Sequence, residues 1–290
     1  MKLQTRGVIH DLPQRPLVMG IVNLVNDSFS GDGLEDIDAA MAHARALLRE
    51  GADIIDIGAE SARTNRQAIS GERESAQLLL FIERWREVHA PFAKGQGFPL
   101  LSINTWRPGV VRAVLPFGGD LLNDIGGLPT SENAEVCAST GAALGIMHTV
   151  GEPKIPHTHV AYGDVMAVLD EFFSAKMAIA EAAGVSRNAI VLDPGIDFAK
   201  QRADNLCILR ELARLRSFDR PILLPVSRKT VIGDVLDLPE ARSRDAGTVA
   251  CVVSGVLSGA AIVRVHNVRA AVQAIRIVHA VIAGADAGNT

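Results

Sequence analysis

Polar residues that could bind a ligand stand at the ends of short apolar runs along this chain. Three of them, Asn104, Asn123 and Asp193, offer amide and carboxylate groups. Such groups match the edge of a flat heterocycle that carries N–H and C=O groups, such as a pterin or a purine. Asp193 precedes Pro-Gly and Asn104 precedes Thr105, so a turn-shaping role and a helix-capping role are the alternatives for these two residues.

A second set of polar residues is basic and is typical of phosphate binding. It comprises Arg63, Lys229 and Arg264, with His266 as a further candidate cation. Arg264 and His266 lie two residues apart, so both side chains face the same way on an extended strand. Arginine offers a bidentate fork to phosphate oxygens, and the loops after the last two strands of a barrel often bind phosphate. The pattern predicts a phosphate or diphosphate site; a solvated Lys229 and a capping His266 are the alternatives.

The elements that would position these residues form a regular alternation. Several apolar runs follow a glycine, such as Gly51 and Gly141, which would end the preceding helix in the left-handed conformation. Runs of this length are too short for a helix and fit strands buried on both faces, as parallel sheets require. The eight predicted strands are Leu17–Asn23, Ile54–Gly58, Leu100–Asn104, Leu121–Asp124, Ala143–His148, Ile190–Asp193, Ile222–Val226 and Ile262–Val265.

Helical periodicity separates the strands and predicts an α/β fold, a single (β/α)₈ barrel of the TIM type. An open doubly wound sheet is the alternative, but no GxGxxG follows the first strand. We divide the chain into an extension over residues 1–16 that packs on the barrel, the barrel over 17–283, and a flexible tail over 284–290. The clearest predicted helices are Ala39–Arg49, Arg73–His89, Val165–Ala183, Asn205–Leu215, Ala246–Ser258 and Val268–Ile282.

Composition narrows the classes of function. The chain is 48% hydrophobic and 21% charged, which suffices for a large core, and its net charge of −4 and 4% aromatic content argue against nucleic-acid binding. Neither a signal-peptide core nor an apolar run long enough to span a membrane is present in the sequence. Cys137, Cys207 and Cys251 are far apart, so we expect free thiols in a reducing cytoplasm rather than a metal cluster.

Seven motifs resemble, in order and spacing, those of dihydropteroate synthase, the pterin-binding barrel of folate synthesis. They are MGIVNLVNDSFS, GADIIDIGAES, LLNDIGGL, MH at 147–148, LDPGIDF, VSRK and VRVH, and the resemblance runs from about Leu17 to Ile282. It implies that 6-hydroxymethyl-7,8-dihydropterin diphosphate condenses with 4-aminobenzoate and that diphosphate leaves with the help of Mg²⁺. Such a dissociative alkyl transfer needs no protein nucleophile, so the protein mainly positions the partners and stabilises charge. The resemblance also implies a homodimer.

The resemblance further implies roles for individual residues. Lys229, Arg63 and Asn104 would act at the reaction centre, with Asn104 in the place of a pterin-binding aspartate and Arg63 on a mobile loop. Asn23 would hold the metal and diphosphate. The remaining substrate contacts would come from Asn123, Asp193 and Met147 around the pterin (with Lys229 on its ring), Arg264 and His266 on the diphosphate, and Phe198 and Ser227 at the aminobenzoate.

Three departures from the family's pattern bear on activity. In the first loop, Val25-Asn26 replace Thr-Pro and Gly31-Asp32 invert the usual Asp-Gly order. In the second loop, ESARTN at 60–65 replaces ESTRPG, so the arginine is kept and its neighbours change. The third departure is Asn104, which cannot offer negative charge to a cationic intermediate. That loss is worth about 1–2 kcal/mol, or about 5- to 30-fold in rate.

These departures leave three hypotheses for the activity. The first is a working dihydropteroate synthase with modified loops. The second is an enzyme that joins the same pterin diphosphate to a different arylamine, as on a methanopterin-type pathway, which the altered second loop favours. The third is a non-catalytic pterin-binding paralogue, against which the retained Lys229, Arg264 and His266 argue, because a pure pterin binder needs no diphosphate site.

Overall fold

A cylinder of eight parallel strands forms the centre of the molecule, and the prediction of a (β/α)₈ barrel is confirmed. The computed structural model describes residues 1–24, 36–60, 68–93, 97–155 and 160–283. A short antiparallel hairpin, β1 (Lys2–Thr5) and β2 (Val8–Asp11), precedes the barrel. The barrel strands are β3 (Leu17–Asn23), β4 (Ile54–Gly58), β5 (Leu100–Asn104), β6 (Leu121–Asp124), β7 (Ala143–Met147), β8 (Ile190–Asp193), β9 (Leu223–Leu224) and β10 (Ile262–Val265).

The strands are hydrogen-bonded in the order β8-β7-β6-β5-β4-β3-β10-β9. Between β8 and β9 the ring closes at one isolated bridge, Leu192 with Ile222, and we call this closure the seam. β9 is shorter than its predicted bounds, Ile222–Val226. Pro221 and Pro225 flank it, and neither has a backbone N–H to donate to a ladder.

Helices surround the barrel and pack against it through apolar faces. The six predicted helices are confirmed to within a few residues, although the one expected over Asn205–Leu215 starts at Arg202 and passes into a 3₁₀ segment after Glu211. Three further helices of seven to nine residues were not clearly predicted. The set is α1 (Ile37–Glu50), α2 (Gly71–His89), α3 (Pro108–Val114), α4 (Glu132–Thr140), α5 (Val165–Ala182), α6 (Arg202–Glu211), α7 (Thr230–Leu236), α8 (Asp245–Leu257) and α9 (Val268–Ala283).

The predicted helix-ending glycines adopt the left-handed conformation. Gly51 ends α1 with a φ of 104°, and Gly141 ends α4 with a φ of 74°. At the other end of α1, the Asp36 carboxylate accepts the N–H of Asp38. The helix end is therefore fixed before β4 and before β7, which determines where along the barrel axis each of these two strands begins and ends.

The hairpin is fastened to the N-terminal end of the barrel by Arg6. Its guanidinium donates to the backbone carbonyls of Leu115, Gly119 and Thr140 at 2.6–3.0 Å. Leu3 on the hairpin is fully buried. This end of the barrel is thus occupied by structural contacts. No helix among the described residues is long and apolar enough to cross a membrane.

Candidate functional site

Polar side chains meet at the C-terminal ends of the barrel strands because the strands are in register. Asn23 is paired with Gly58, Gly58 with Asn104, and Asn104 with Asn123 across adjacent strands. Residues in one register row lie at the same height on the barrel. Asn104 and Asn123 are buried, whereas Asn23 is half-buried.

The carboxylate of Asp56 is the centre of this polar layer. It lies within β4 and is completely buried. It accepts hydrogen bonds from Ser102 Oγ at 2.6 Å, from Asn104 Nδ2 at 3.3 Å and from Asn123 Nδ2 at 3.4 Å. Arg264 Nε donates at 2.7 Å to Asp56 Oδ2, the oxygen that also accepts from Asn104. One buried carboxylate therefore connects two of the predicted heterocycle-binding amides to a predicted phosphate-binding arginine.

Asp56 also fixes which way the two amides face. The NH₂ groups of Asn104 and Asn123 point at the carboxylate, because their carbonyl oxygens would be repelled by it. The Oδ1 atom of Asn123 is buried and has no hydrogen-bond partner among the described residues. A buried carbonyl without a partner costs free energy, so this atom awaits a donor from outside the protein.

Asp193 contributes a second buried carboxylate at the end of β8. Burial raises its pKa to about 6, although the Gly195 N–H and nearby cations, first of all Lys229, act in the opposite direction. Asp193 Oδ1 accepts the Gly195 N–H at 2.7 Å, so the residue also shapes the turn, as the alternative reading of the sequence proposed. Met147 is buried at the end of β7, in register with Asp193.

The last two strands bring together Ser227, Arg264 and His266. Ser227 Oγ lies 2.9 Å from His266 Nδ1 and accepts the backbone N–H of His266 at 3.1 Å. Burial lowers the pKa of His266 to about 3, and the neighbouring Arg228 and Arg264 add to this effect. A ring with so low a pKa is neutral near pH 7, so His266 would meet a phosphate as a hydrogen-bond donor and not as a cation. Arg264 supplies positive charge at this side of the site.

Lys229 and Phe198 lie face to face on neighbouring loops. Lys229 Nζ lies 4.5 Å from the centroid of the Phe198 ring, within the range of a cation–π contact. Phe198 follows β8 and Lys229 follows β9, so the two loops flank the seam. Phe198, predicted at the aminobenzoate, and Lys229, predicted on the pterin ring, are therefore adjacent.

A buried lysine that the sequence reading missed holds the Phe198 loop from beneath. Lys200 Nζ lies 2.8 Å from His148 Nδ1 and donates to the carbonyls of Gly195 at 2.9 Å and Phe198 at 3.0 Å. Burial lowers the pKa of Lys200 to about 7 and that of His148 to about 3. His148 is thus a buried, hydrogen-bonded ring directly after β7.

A cluster of charged residues anchors the start of the second loop. The Glu60 carboxylate, almost fully buried, pairs with Arg107 at 2.6 Å and with Lys154 at 2.8 Å. Arg107 also pairs with Glu74 at 2.8 Å, and burial raises the pKa of Glu74. Glu74 lies in the first turn of α2, and its side chain is committed to this cluster.

Several predicted features lie outside the described residues. These are Arg63 with the rest of the altered second loop after Glu60, and the changed positions of the first loop from Val25 to Asp32.

Asp56 was not predicted as a site residue, although the sequence held a signal for it. A charged residue in the apolar run IIDIG must find buried partners, which here lie as far away as Arg264.

Comparison with known proteins gives one consistent result. The model of the pterin binding enzyme family matches residues 19–266. The dihydropteroate synthase of Escherichia coli K12 is 36% identical over 283 residues, which cover 97% of this chain and 96% of that protein. Dihydropteroate synthase of Yersinia pestis, solved with a sulfonamide drug, is 35% identical, covers 98% of this chain and 99% of its own, and superposes with a TM-score of 0.87.

A third relative has been solved with two different ligands. Dihydropteroate synthase of Xanthomonas albilineans in complex with 7,8-dihydropteroate is 33% identical, covers 98% of this chain and 99% of its own, and has a TM-score of 0.81. The same enzyme has been solved with 4-aminobenzoic acid, with a TM-score of 0.85. The similarity therefore extends over nearly the whole chain in each case.

Proposed function

The chain belongs to the pterin binding enzyme family, among the dihydropteroate synthases, and on that premise we propose that it makes dihydropteroate. The substrates are 6-hydroxymethyl-7,8-dihydropterin diphosphate and 4-aminobenzoate, and diphosphate is the second product. Relatives more than a third identical over nearly the full chain carry this enzyme's name. The dihydropteroate and 4-aminobenzoic acid found in the Xanthomonas albilineans enzyme support the same two substrates here.

The observation that carries the proposal is the buried Oδ1 of Asn123, which has no hydrogen-bond partner among the described residues, together with the buried carboxylate of Asp193 two strands further round the barrel. Together they offer hydrogen-bond acceptors at the base of the site. The edge of a pterin that carries the amino group and the ring N–H supplies donors, so it satisfies these atoms. Arg264, which pairs with Asp56 through Nε, offers its charged guanidinium for the phosphate oxygens.

This arrangement supports a dissociative transfer. The bond between the pterin methylene carbon and the diphosphate oxygen breaks, and its electron pair leaves with the diphosphate. The nitrogen of the arylamine then bonds to the cationic methylene and releases its proton. Arg264 balances the charge that grows on the leaving group, while the negative Asp56 and Asp193 favour the positive charge on the pterin. In this proposal the amine arrives from the side of Phe198 and Lys229, whose ring and Nζ are in contact.

Mg²⁺ is part of the proposal, with Asn23 as the protein residue that would hold it. The described residues contain no group of three or more His, Cys, Asp or Glu side chains that could form a complete metal site. A single amide oxygen, that of Asn23, fits Mg²⁺, which usually binds through one or two protein oxygens together with substrate phosphates and waters. When bound, the ion would neutralise part of the charge on the diphosphate.

We further propose a homodimer in the cytoplasm. Ile277 and Val281 lie one turn apart on α9 and are 67% and 76% exposed, and Leu257 at the end of α8 is 63% exposed. A second copy of the chain would cover such a stripe. The three cysteines form no disulfide, which fits a reducing compartment.

One assay tests the activity. Purified protein is incubated with the dihydropterin diphosphate, Mg²⁺ and a panel of arylamines, and both diphosphate release and product mass are measured. We expect turnover with 4-aminobenzoate that is lost when a chelator removes the metal. If none of the amines in the panel gave diphosphate release, an enzymatic function would be refuted. Turnover with only a bulkier arylamine would reassign the second substrate.

A further inference from the structure

The segment that follows β8 adopts a conformation that its residues disfavour. Asp197 has a φ of 67° and Ala199 a φ of 50°, both in the left-handed region that favours glycine. A side chain there costs free energy, so such a conformation persists where surrounding contacts hold it. Asp197 has contacts of this kind on two sides.

Asp197 links its own loop to α6 and to α7 through hydrogen bonds. Its backbone N–H donates to Asn205 Oδ1 on α6 at 2.8 Å, and Asn205 Nδ2 returns a bond to the Asp197 carboxylate at 3.3 Å. The same carboxylate accepts the backbone N–H of Thr230 and, at 3.2 Å, that of Val231 at the start of α7. Bonds from N–H groups to a carboxylate are stronger than neutral ones.

These contacts cross the seam of the barrel. β8 and β9 share only the bridge between Leu192 and Ile222, whereas the other neighbouring strands share ladders. The loops that leave β8 and β9 are therefore weakly connected by the sheet itself. Asp197 connects these two loops through its carboxylate.

The residues on either side of this connection are the predicted substrate contacts. Phe198 follows Asp197, and Lys229 precedes Thr230, whose N–H the carboxylate holds. The Phe198 ring and Lys229 Nζ are 4.5 Å apart. We propose that Asp197 is a positioning residue that sets the gap between Phe198 and Lys229 and thereby places the arylamine against the pterin. This role rests on the proposed function.

Kinetic constants for the two substrates separate this role from a structural one. In Asp197→Ala we expect the KM for 4-aminobenzoate to rise about tenfold, whereas the KM for the pterin diphosphate changes less than about threefold, because Asn123 and Asp193 still hold the pterin. Asp204→Asn is the matched control, since Asp204 accepts the Gln201 N–H at the start of α6. Equal changes in both KM values, or none, would overturn the proposal.

Two further variants distinguish the carboxylate from the backbone. Asp197→Gly removes the carboxylate but accepts the positive φ, so it should show the same rise in the arylamine KM as Asp197→Ala. Asp197→Asn keeps one oxygen acceptor and should recover part of the loss. If Asp197→Gly behaved as the native protein, the backbone and not the carboxylate would set the gap, and the proposal would be wrong.

A readout independent of turnover keeps the inference separate from the proposed function. Hydrogen exchange at the Thr230 and Val231 amides should accelerate in Asp197→Ala and stay unchanged in Asp204→Asn. Absence of diphosphate release by the native protein would refute the proposed function alone, and the affinity for 4-aminobenzoate would then be compared between the native and variant proteins by calorimetry. Unchanged exchange, or unchanged affinity, would overturn the positioning role.

Discussion

Replacing Asn104 with aspartate should yield a protein whose activity, relative to the native one, rises with pH. Asn104 Nδ2 donates to Asp56 Oδ2 at 3.3 Å, and an aspartate of the same shape would place an oxygen there instead. Two charges about 4 Å apart repel each other by about 4 kcal/mol at the effective dielectric constant of a protein. Arg264, at 2.7 Å from the same Asp56 oxygen, offsets part of that repulsion.

The pKa of the introduced carboxyl should therefore lie well above its ordinary value. While the carboxyl is protonated it donates to Asp56 as the amide does, and activity should stay within about twofold of native. Once it ionises, the added charge stabilises the cationic pterin by about 1–2 kcal/mol, which corresponds to about 5- to 30-fold in rate. The simpler expectation that aspartate at this position always accelerates the reaction neglects Asp56.

The assay is diphosphate release for native and variant proteins across about four pH units around neutrality. The ratio of the variant kcat to the native kcat should be near one at the acidic end of the range and should rise with pH. In the double variant N104D/D56N the repelling charge is absent, so the ratio to Asp56→Asn alone should be flat. A flat ratio in the single variant, or a climb that survives in the double variant, would refute this electrostatic account.

Three more results can be expected from the geometry. Lys229→Ala should weaken pterin binding about tenfold or more in calorimetry, because the Lys229 charge acts on the buried Asp193 carboxylate; unchanged affinity would disprove the pocket. In His148→Asn, stability measured by urea unfolding should fall less between about pH 6.5 and pH 5 than in the native protein. Burial holds the pKa of His148 at about 3, so the unfolded chain gains a proton first, and this residue alone lowers the free energy of unfolding by about 1.7 kcal/mol over that window; an unchanged slope would contradict this. Gly195→Ala should lose about 3 kcal/mol or more in the same unfolding assay, since a Cβ there would lie 2.0 Å from the His148 carbonyl oxygen at a φ of 67°; a loss under about 1 kcal/mol would show that the loop relaxes freely.

Most of the barrel was predictable because its strands are buried on both faces and so appear as unbroken apolar runs. The bounds of β3, β4 and β10 agree with prediction for this reason. The predicted β9 was too long because the apolar run includes Ile222 and Val226, whereas only Leu223 and Leu224 form a ladder with β10. The three short helices were not predicted because seven to nine residues give too few turns for a periodic pattern.

The site was predictable in its residue types and less so in its connections. Asn104, Asn123 and Arg264 were identified from strand ends and motifs, but their common partner Asp56 lies 208 residues from Arg264 in the chain. Hydrogen bonds over such separations depend on which strands become neighbours and in what register. The neutral state of His266 likewise depends on burial and on nearby arginines, which a motif does not reveal.

The attachment of Arg6 has a consequence for how the chain acquires its structure. The three carbonyls that receive its guanidinium lie 109 to 134 residues further along the sequence. Contacts between such distant segments form slowly because a long loop must close first. We expect the hairpin to dock late, after β6 and β7 have been built, so that an interrupted chain ending before Thr140 would leave its first strands unanchored and open to aggregation.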